Sequence, residues 1–199
     1  AHRSGNDGGV INHYIAARQE LEGAGSPFAI TTTKVRGVDV KSYAAAPSDM
    51  RVIWELTTAH GDKPYIIYED EHFTYSDIHA QVRKLAQYLV AHGVGHGDRV
   101  AVSMRNYPEW VVSYWATVSL GAALVGMNAW WTPVEMDYAL TDSTPKVLIV
   151  DDERLERYLQ VPTAHSCHVV SVRSDRALPA GGGRWSDIMA AADPGTLPP

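Results

Sequence analysis

Cysteine and basic charge are what this sequence has least of. Cys167 stands alone among 199 residues, which excludes an internal disulfide framework and fits a reducing cytoplasm, the compartment expected for the chain. Lys and Arg number 17 against 23 Asp and Glu, so no general attraction to nucleic acid is expected. No apolar run approaches the roughly 20 residues that a membrane helix needs. A transmembrane segment is therefore not expected, and only peripheral membrane contact is left open.

The motifs of several chemistries are also missing. No Gly-x-Ser-x-Gly elbow for a serine nucleophile occurs. Thr31-Thr32-Thr33-Lys34 lacks the glycines that let backbone N–H groups approach a phosphate. Gly93-Val94-Gly95-His96-Gly97 follows a helical pattern and precedes a strand pattern, the reverse of a dinucleotide loop, and reads as a tight turn. Gly181-Gly182-Gly183 has no Lys-Ser/Thr after it and reads as a linker. His92 and His96 have the spacing of a zinc pair on a helix, but the intervening glycines break the shared face. His165-x-Cys167-His168 lacks a fourth ligand at motif spacing. No metal site and no catalytic residue are expected in this chain.

At 45% hydrophobic residues, the chain can bury a real core. Residues 1–9 read as a flexible terminus or expression remnant, followed by a helix from Val10 to Leu21. Thr31 to Tyr43 has little periodicity, although Val35, Val38 and Val40 permit a short strand. Asp49 to Ala59 reads as a second helix. Tyr65-Ile66-Ile67-Tyr68, the acidic Glu69-Asp70-Glu71 and His72 to Tyr75 have the form of a β-hairpin. Ile78, Val82, Leu85, Ala86, Leu89 and Val90 then line one face of a helix, with Gly93 placed for a left-handed cap.

Beyond that turn, strand and helix patterns alternate. Val100 to Met104 and Ala122 to Met127 read as strands. Between them lies a helix from Glu109 to Ser119, with Pro108 in its first turn, Asn106 as its expected cap, and Trp110 and Trp115 read as core. Thr132-Pro133-Val134-Glu135 has the form of a capping box. Val147 to Val150 and His168 to Val172 fit strands covered on both faces, and Trp185 to Ala191 a short helix. The expected fold is α/β: a doubly wound, mainly parallel sheet with helices on both faces, plus a β-hairpin near residues 65–75. Residues 10–192 would form it, and the Pro-rich 193–199 would be a linker.

Five pieces in register carry a resemblance: Phe73-Thr74-Tyr75-Ser76-Asp77-Ile78, Gly97-Asp98-Arg99-Val100, Asn106-Tyr107-Pro108-Glu109-Trp110, Leu120-Gly121-Ala122-Ala123 running to Asn128, and Thr132-Pro133-Val134-Glu135 with Asp142-Ser143. In that order and spacing they resemble the amino-terminal part of adenylate-forming acyl-CoA synthetases, over about Met50 to Asp152. Gly126-Met127-Asn128 departs from the family's frequent Pro-Leu-Asn. The resemblance implies a full-length enzyme that uses ATP and magnesium to convert a carboxylate to an acyl-adenylate, then transfers the acyl group to coenzyme A. Its phosphate loop and the remainder of the polypeptide are expected to lie outside this sequence, leaving the fragment inactive. The acid expected is a medium- to long-chain fatty acid. The rivals are an acyl-adenylate ligase serving a carrier protein, a ligase for aromatic acids, and a non-catalytic α/β interaction module. By the same resemblance, Trp130, Arg154 and Arg157 are candidates to contact coenzyme A, and Trp131 to contact the acid, since both tryptophans follow a strand's carboxyl end. Packing is the alternative for the tryptophans, and a solvated helix face for the arginines.

Overall fold

The computed structural model describes residues 7–199, which fall into two units, one ending at Ser48 and one spanning Asp49–Pro199. In the first unit, α1 (Asp7–Glu22) precedes an antiparallel hairpin of β1 (Ile30–Val35) and β2 (Val38–Tyr43). The helix takes in residues 7–9, expected to be part of the terminus; residues 1–6 lie outside the described residues. The hairpin occupies the stretch whose periodicity was uninformative. Its turn is Arg36-Gly37, with φ of 49° and 86°, the paired left-handed geometry that suits two-residue hairpins. Arginine is a poor advertisement for that conformation, so the turn is hard to read from the sequence.

The second unit begins with α2 (Met50–Leu56), a 3-10 turn (Thr57–His60), and the expected hairpin of β3 (Pro64–Tyr68) and β4 (Glu71–Thr74). There follow α3 (Tyr75–Ala91), β5 (Arg99–Ser103), α4 (Pro108–Ser119), β6 (Ala123–Gly126), α5 (Pro133–Ser143), β7 (Val147–Asp151), α6 (Asp152–Tyr158), β8 (His168–Val172), β9 (Gly183–Arg184) and α7 (Trp185–Ala190). The last five strands pair in parallel in the order β6-β5-β7-β8-β9.

Side chains along these strands alternate between two cores, as the pleat requires. Val100, Val102, Val147, Ile149, Val170 and Val172 pack with residues of α2, α3, α4 and α7. Ala101, Leu148, Val150 and Val169 pack on the other face with Met136 and Leu140 of α5 and Leu155 and Tyr158 of α6. Helices on both faces explain why β7 is buried at every position and reads as an unbroken apolar run.

Local chemistry fixes where the helices start. Thr74 and Asp77 form a reciprocal capping box at α3, and Thr132 and Glu135 form one at α5, where Pro133 occupies the first turn. Asn106 does not cap α4: Tyr107 holds that position, without a side-chain hydrogen bond. Along α3 the expected face is buried except for Val90, which is 44% exposed. Trp110 and Trp115 are half-buried against the first core.

Gly93 ends α3 with φ of 78°, and a Cβ there would meet nothing within 4 Å. Any effect of substitution is therefore conformational. Gly93→Val should lower unfolding free energy by about 1–2 kcal/mol, because a β-branched residue is disfavoured at positive φ. An unchanged urea midpoint would remove the cap assignment.

Gly183, expected in a linker, instead pairs with Val170 in β9, and a Cβ on it would come 2.0 Å from Tyr88 Oη. The Pro-rich end lies along α2 and α3. Arg83 clasps Asp193, Arg51 donates to the Pro198 carbonyl at 2.6 Å, and Leu197 packs against the first core. Among the described residues, no helix is long and apolar enough to cross a membrane.

Candidate functional site

The strand order defines where a ligand fits. From β5 the chain moves to one side, into β6, and from β7 it moves to the other, into β8. The connections leaving β5 and β7 diverge, and in open parallel sheets such a switch point opens a crevice at the strands' carboxyl ends. Here the crevice is a cleft of about 410 Å³ lined by Tyr68, Met104, Arg105, Asn106, Ala129, Trp130 and Arg154. That volume falls within the range of small-molecule sites.

Asp151 ties the two sides of the switch point together. It is 3% exposed; one carboxylate oxygen accepts from the Arg105 backbone N–H at 2.9 Å, and the other from the Arg154 backbone N–H at 3.0 Å. The loop after β5 and the start of α6 are thereby locked to one carboxylate.

Neither Arg154 nor Arg157 stands on a solvated helix face. Arg154 is 1% exposed; its Nη1 donates to Asp151 and Glu153, and its Nε to the Ala129 carbonyl at 2.7 Å. Arg157 donates to the Ala129 carbonyl at 2.8 Å and the Trp131 carbonyl at 3.2 Å, and pairs with Glu153. Together they brace the 129–131 turn from below. One group is left over: Arg154 Nη2 is buried and has no hydrogen-bond partner. An unpaired donor on a buried cation is costly, and an anion reaching it would offset that cost.

The structure separates the two tryptophans of that turn. Trp130 is 69% exposed on the cleft wall, with the Arg105 guanidinium 5.1 Å and the Arg154 guanidinium 5.9 Å from its ring centre. Trp131 is half-buried and packs against the second core. Arg105 itself is exposed and held by a 3.4 Å contact to Glu153, leaving it able to turn toward a ligand. Arg105, Asn106 and Tyr68 are not among the expected site residues; Asn106 is expected only as a helix cap and Tyr68 only as part of the hairpin. Position directly after strand β5 was the available signal for the first two; Tyr68 arrives from a separate hairpin.

Among the described residues, no group of three or more His, Cys, Asp or Glu side chains could hold a metal ion. Burial pushes the Cys167 thiol above its ordinary pKa, which keeps it protonated and a poor nucleophile.

The architecture defines a class, an open parallel α/β sheet with a cleft at its switch point. The profile of the family described as AMP-binding enzyme matches residues 53–191, and the chain belongs to that family. Among curated proteins, it is 34% identical over 106 residues to the 3-hydroxybenzoate/4-hydroxybenzoate–CoA ligase of Thauera aromatica, covering 53% of this chain and 20% of that protein. It is 33% identical over 102 residues to the long-chain-fatty-acid–CoA ligase of Bacillus subtilis (strain 168), covering 51% and 18%. Among solved structures, the anthranilate CoA ligase AuaEII in complex with anthranoyl-AMP superposes with a TM-score of 0.64 at 25% identity, over 72% of this chain and 28% of that one. The chain spans about a fifth of the length of the curated relatives it matches.

Proposed function

We propose that the polypeptide containing this chain is an ATP-dependent acid–thiol ligase. It joins a carboxylate to AMP with release of pyrophosphate, then passes the acyl group to the thiol of coenzyme A. The acid is a fatty acid of medium to long chain. Family membership and the ligase names of the matched relatives support the reaction class, and the Bacillus subtilis relative supports the fatty acid.

One observation carries the assignment of this chain's part in it. An exposed indole stands at the switch point beside two guanidinium groups, one of which has an unpaired buried N–H₂. Such a site suits the nucleotide end of coenzyme A: the base stacks on Trp130, and a phosphate pairs with Arg105 and, as the indole shifts, with Arg154 Nη2. Arg157 keeps the turn in place beneath them. Phosphate charge at the reacting centre must be neutralised during adenylate formation, and this chain supplies no glycine-rich loop with a lysine for that purpose. ATP and its magnesium are held by residues elsewhere in the polypeptide.

The test is ATP–pyrophosphate exchange by the longer ligase across octanoate, palmitate and 4-hydroxybenzoate, followed by product analysis with coenzyme A as acceptor. Exchange driven by the fatty acids and formation of their CoA thioesters is expected, with none by the 199-residue chain alone. Exchange confined to 4-hydroxybenzoate would move the acid to the aromatic class, which the Thauera relative favours. Adenylate formation without CoA thioester would point to a carrier-protein acceptor. No exchange with any acid would leave a non-catalytic module.

A further inference from the structure

Strand β8 ends at Val172, and the next residue, Arg173, turns the chain with φ of 49°, a left-handed conformation that few residues other than glycine adopt. Its side chain accounts for its place there. Nε donates to Glu109 Oε1 at 2.8 Å, in the first turn of α4, and Nη2 donates to Glu71 Oε2, on β4. The guanidinium carbon lies 5.0 Å from the ring centre of Tyr107 and 5.4 Å from that of Tyr68, within cation–π range, and the two rings meet edge to face at 5.7 Å. One side chain thus joins the end of β8, the start of α4 and the tip of the β3–β4 hairpin.

The hairpin needs such a tie. It forms a two-stranded sheet of its own, so no strand pairing fixes it to the five-stranded sheet, and a hairpin by itself is marginal in water. Tyr65, Ile66 and Phe73 pack against the first core, and Tyr65 Oη accepts from Trp115 Nε1 at 3.0 Å, which anchors the base. At the tip, Glu69 and Asp70 are exposed, and Glu71–Arg173 is the one ion pair that the hairpin makes among the described residues. Tyr68, half-buried beside that pair, lines the switch-point cleft. With Asn106 it also lines a second pocket of about 250 Å³, next to Ile66, Tyr107 and Trp110, so a shift of its ring would widen one space at the expense of the other. Charge makes the tie stiff: the two carboxylates gathered on one guanidinium would repel each other without it.

We infer that Arg173 is a positioning residue of the switch-point cleft: through Glu71 and the two tyrosine rings it fixes the hairpin tip, and so holds Tyr68 as a wall against which coenzyme A is bound. The role rests on the reading of that cleft as the coenzyme A site. Arg173 is not itself among the residues that line the cleft, so its effect on the ligand passes through Tyr68.

Arg173→Ala is a poor probe, because it strands Glu109, which is 8% exposed and has an Oε2 already without a hydrogen-bond partner, and the loss would fall on folding. Glu71→Lys cuts only the hairpin's arm of the tie, sets a like charge beside the guanidinium and leaves the Arg173–Glu109 pair in place. In the 199-residue chain, amides of residues 66–73 are expected to exchange with deuterium at least about 10-fold faster in this variant, while those of β7 are unchanged. In the full-length protein, the KM for coenzyme A should rise about fivefold or more, while kcat and the KM values for ATP and acid stay within about twofold. Glu71→Gln, which keeps an acceptor for Nη2, should recover most of both effects. Unchanged exchange at the hairpin would overturn the inference. So would faster exchange with a normal KM for coenzyme A, or a uniform rise in all three KM values. A full-length protein without ligase activity sinks the ligase reading alone, because exchange in the 199-residue chain still decides the tie.

Discussion

Lowering the pH from 6.5 to about 4 is expected to cost this chain on the order of 3 kcal/mol of stability through His79 alone. His79 lies on α3, is 6% exposed, and stacks on the Trp54 ring at a centroid distance of 3.9 Å. Its Nε2 is 2.9 Å from Thr57 Oγ1, and that hydroxyl already donates to the Trp54 carbonyl at 2.6 Å. The hydroxyl therefore accepts, and the neutral tautomer with hydrogen on Nε2 is the one that fits. Burial disfavours the imidazolium and lowers the pKa to about 4; Arg83 adds to the shift, and Glu55 opposes it.

Below 6.5 the unfolded chain takes up a proton that the folded chain refuses, so stability falls with pH until the folded state is protonated near 4. Above 6.5 this residue contributes no slope. Carboxylates such as Asp77, whose pKa the Thr74 hydrogen bonds depress, add their own loss at the acid end, so a single acid titration cannot isolate the histidine. His79→Phe keeps the stack on Trp54 and removes the titration. Urea unfolding of both proteins at several pH values between 7 and 4 should show the stability of the parent falling relative to that of His79→Phe as the pH drops. Parallel curves would show that His79 titrates alike in the folded and unfolded states.

Much of the fold is legible in the sequence because its local signals agree with the global layout. Thr132-Pro133-Val134-Glu135 marks the start of α5 to the residue, and Val147 to Val150 announces a strand covered on both sides. Gly93 behaves as the cap its position suggests. The misses have physical reasons too. The β1–β2 hairpin turns at Arg36-Gly37, and its strands bury nothing, so no alternation marks them. Gly183 is a strand residue because Tyr88 leaves no room for a side chain, a tertiary constraint invisible in a run of glycines. The site divides in the same way. Trp130 can be placed from its position after β6, but the cleft is built from loops that only the crossover order brings together. Arg105 and Asp151, 46 residues apart, become neighbours because β5 and β7 pair directly.

That difference between local position and tertiary surroundings separates Trp130 from Trp131, adjacent residues for which opposite outcomes are expected. Trp131 packs with the second core, its backbone N–H donates to the Asn128 carbonyl at 3.1 Å, and its carbonyl is held by Arg157. Trp131→Ala removes a half-buried ring packed against the second core and should cost about 2 kcal/mol or more of unfolding free energy. Trp130 packs into no core, so Trp130→Ala should alter stability by no more than about 0.5 kcal/mol. On the proposed reading, its loss falls on coenzyme A binding. Stacking a base on an aromatic ring is worth about 1–3 kcal/mol, so on the proposed ligase reading the KM for coenzyme A of the full-length protein should rise roughly 5- to 150-fold, with the KM values for ATP and acid unchanged. Trp130→Phe retains a ring and should recover most of the affinity. Thermal unfolding measured beside the three KM values decides the matter: a normal KM for coenzyme A in Trp130→Ala would remove the stacking role and leave the indole an exposed residue of the cleft rim.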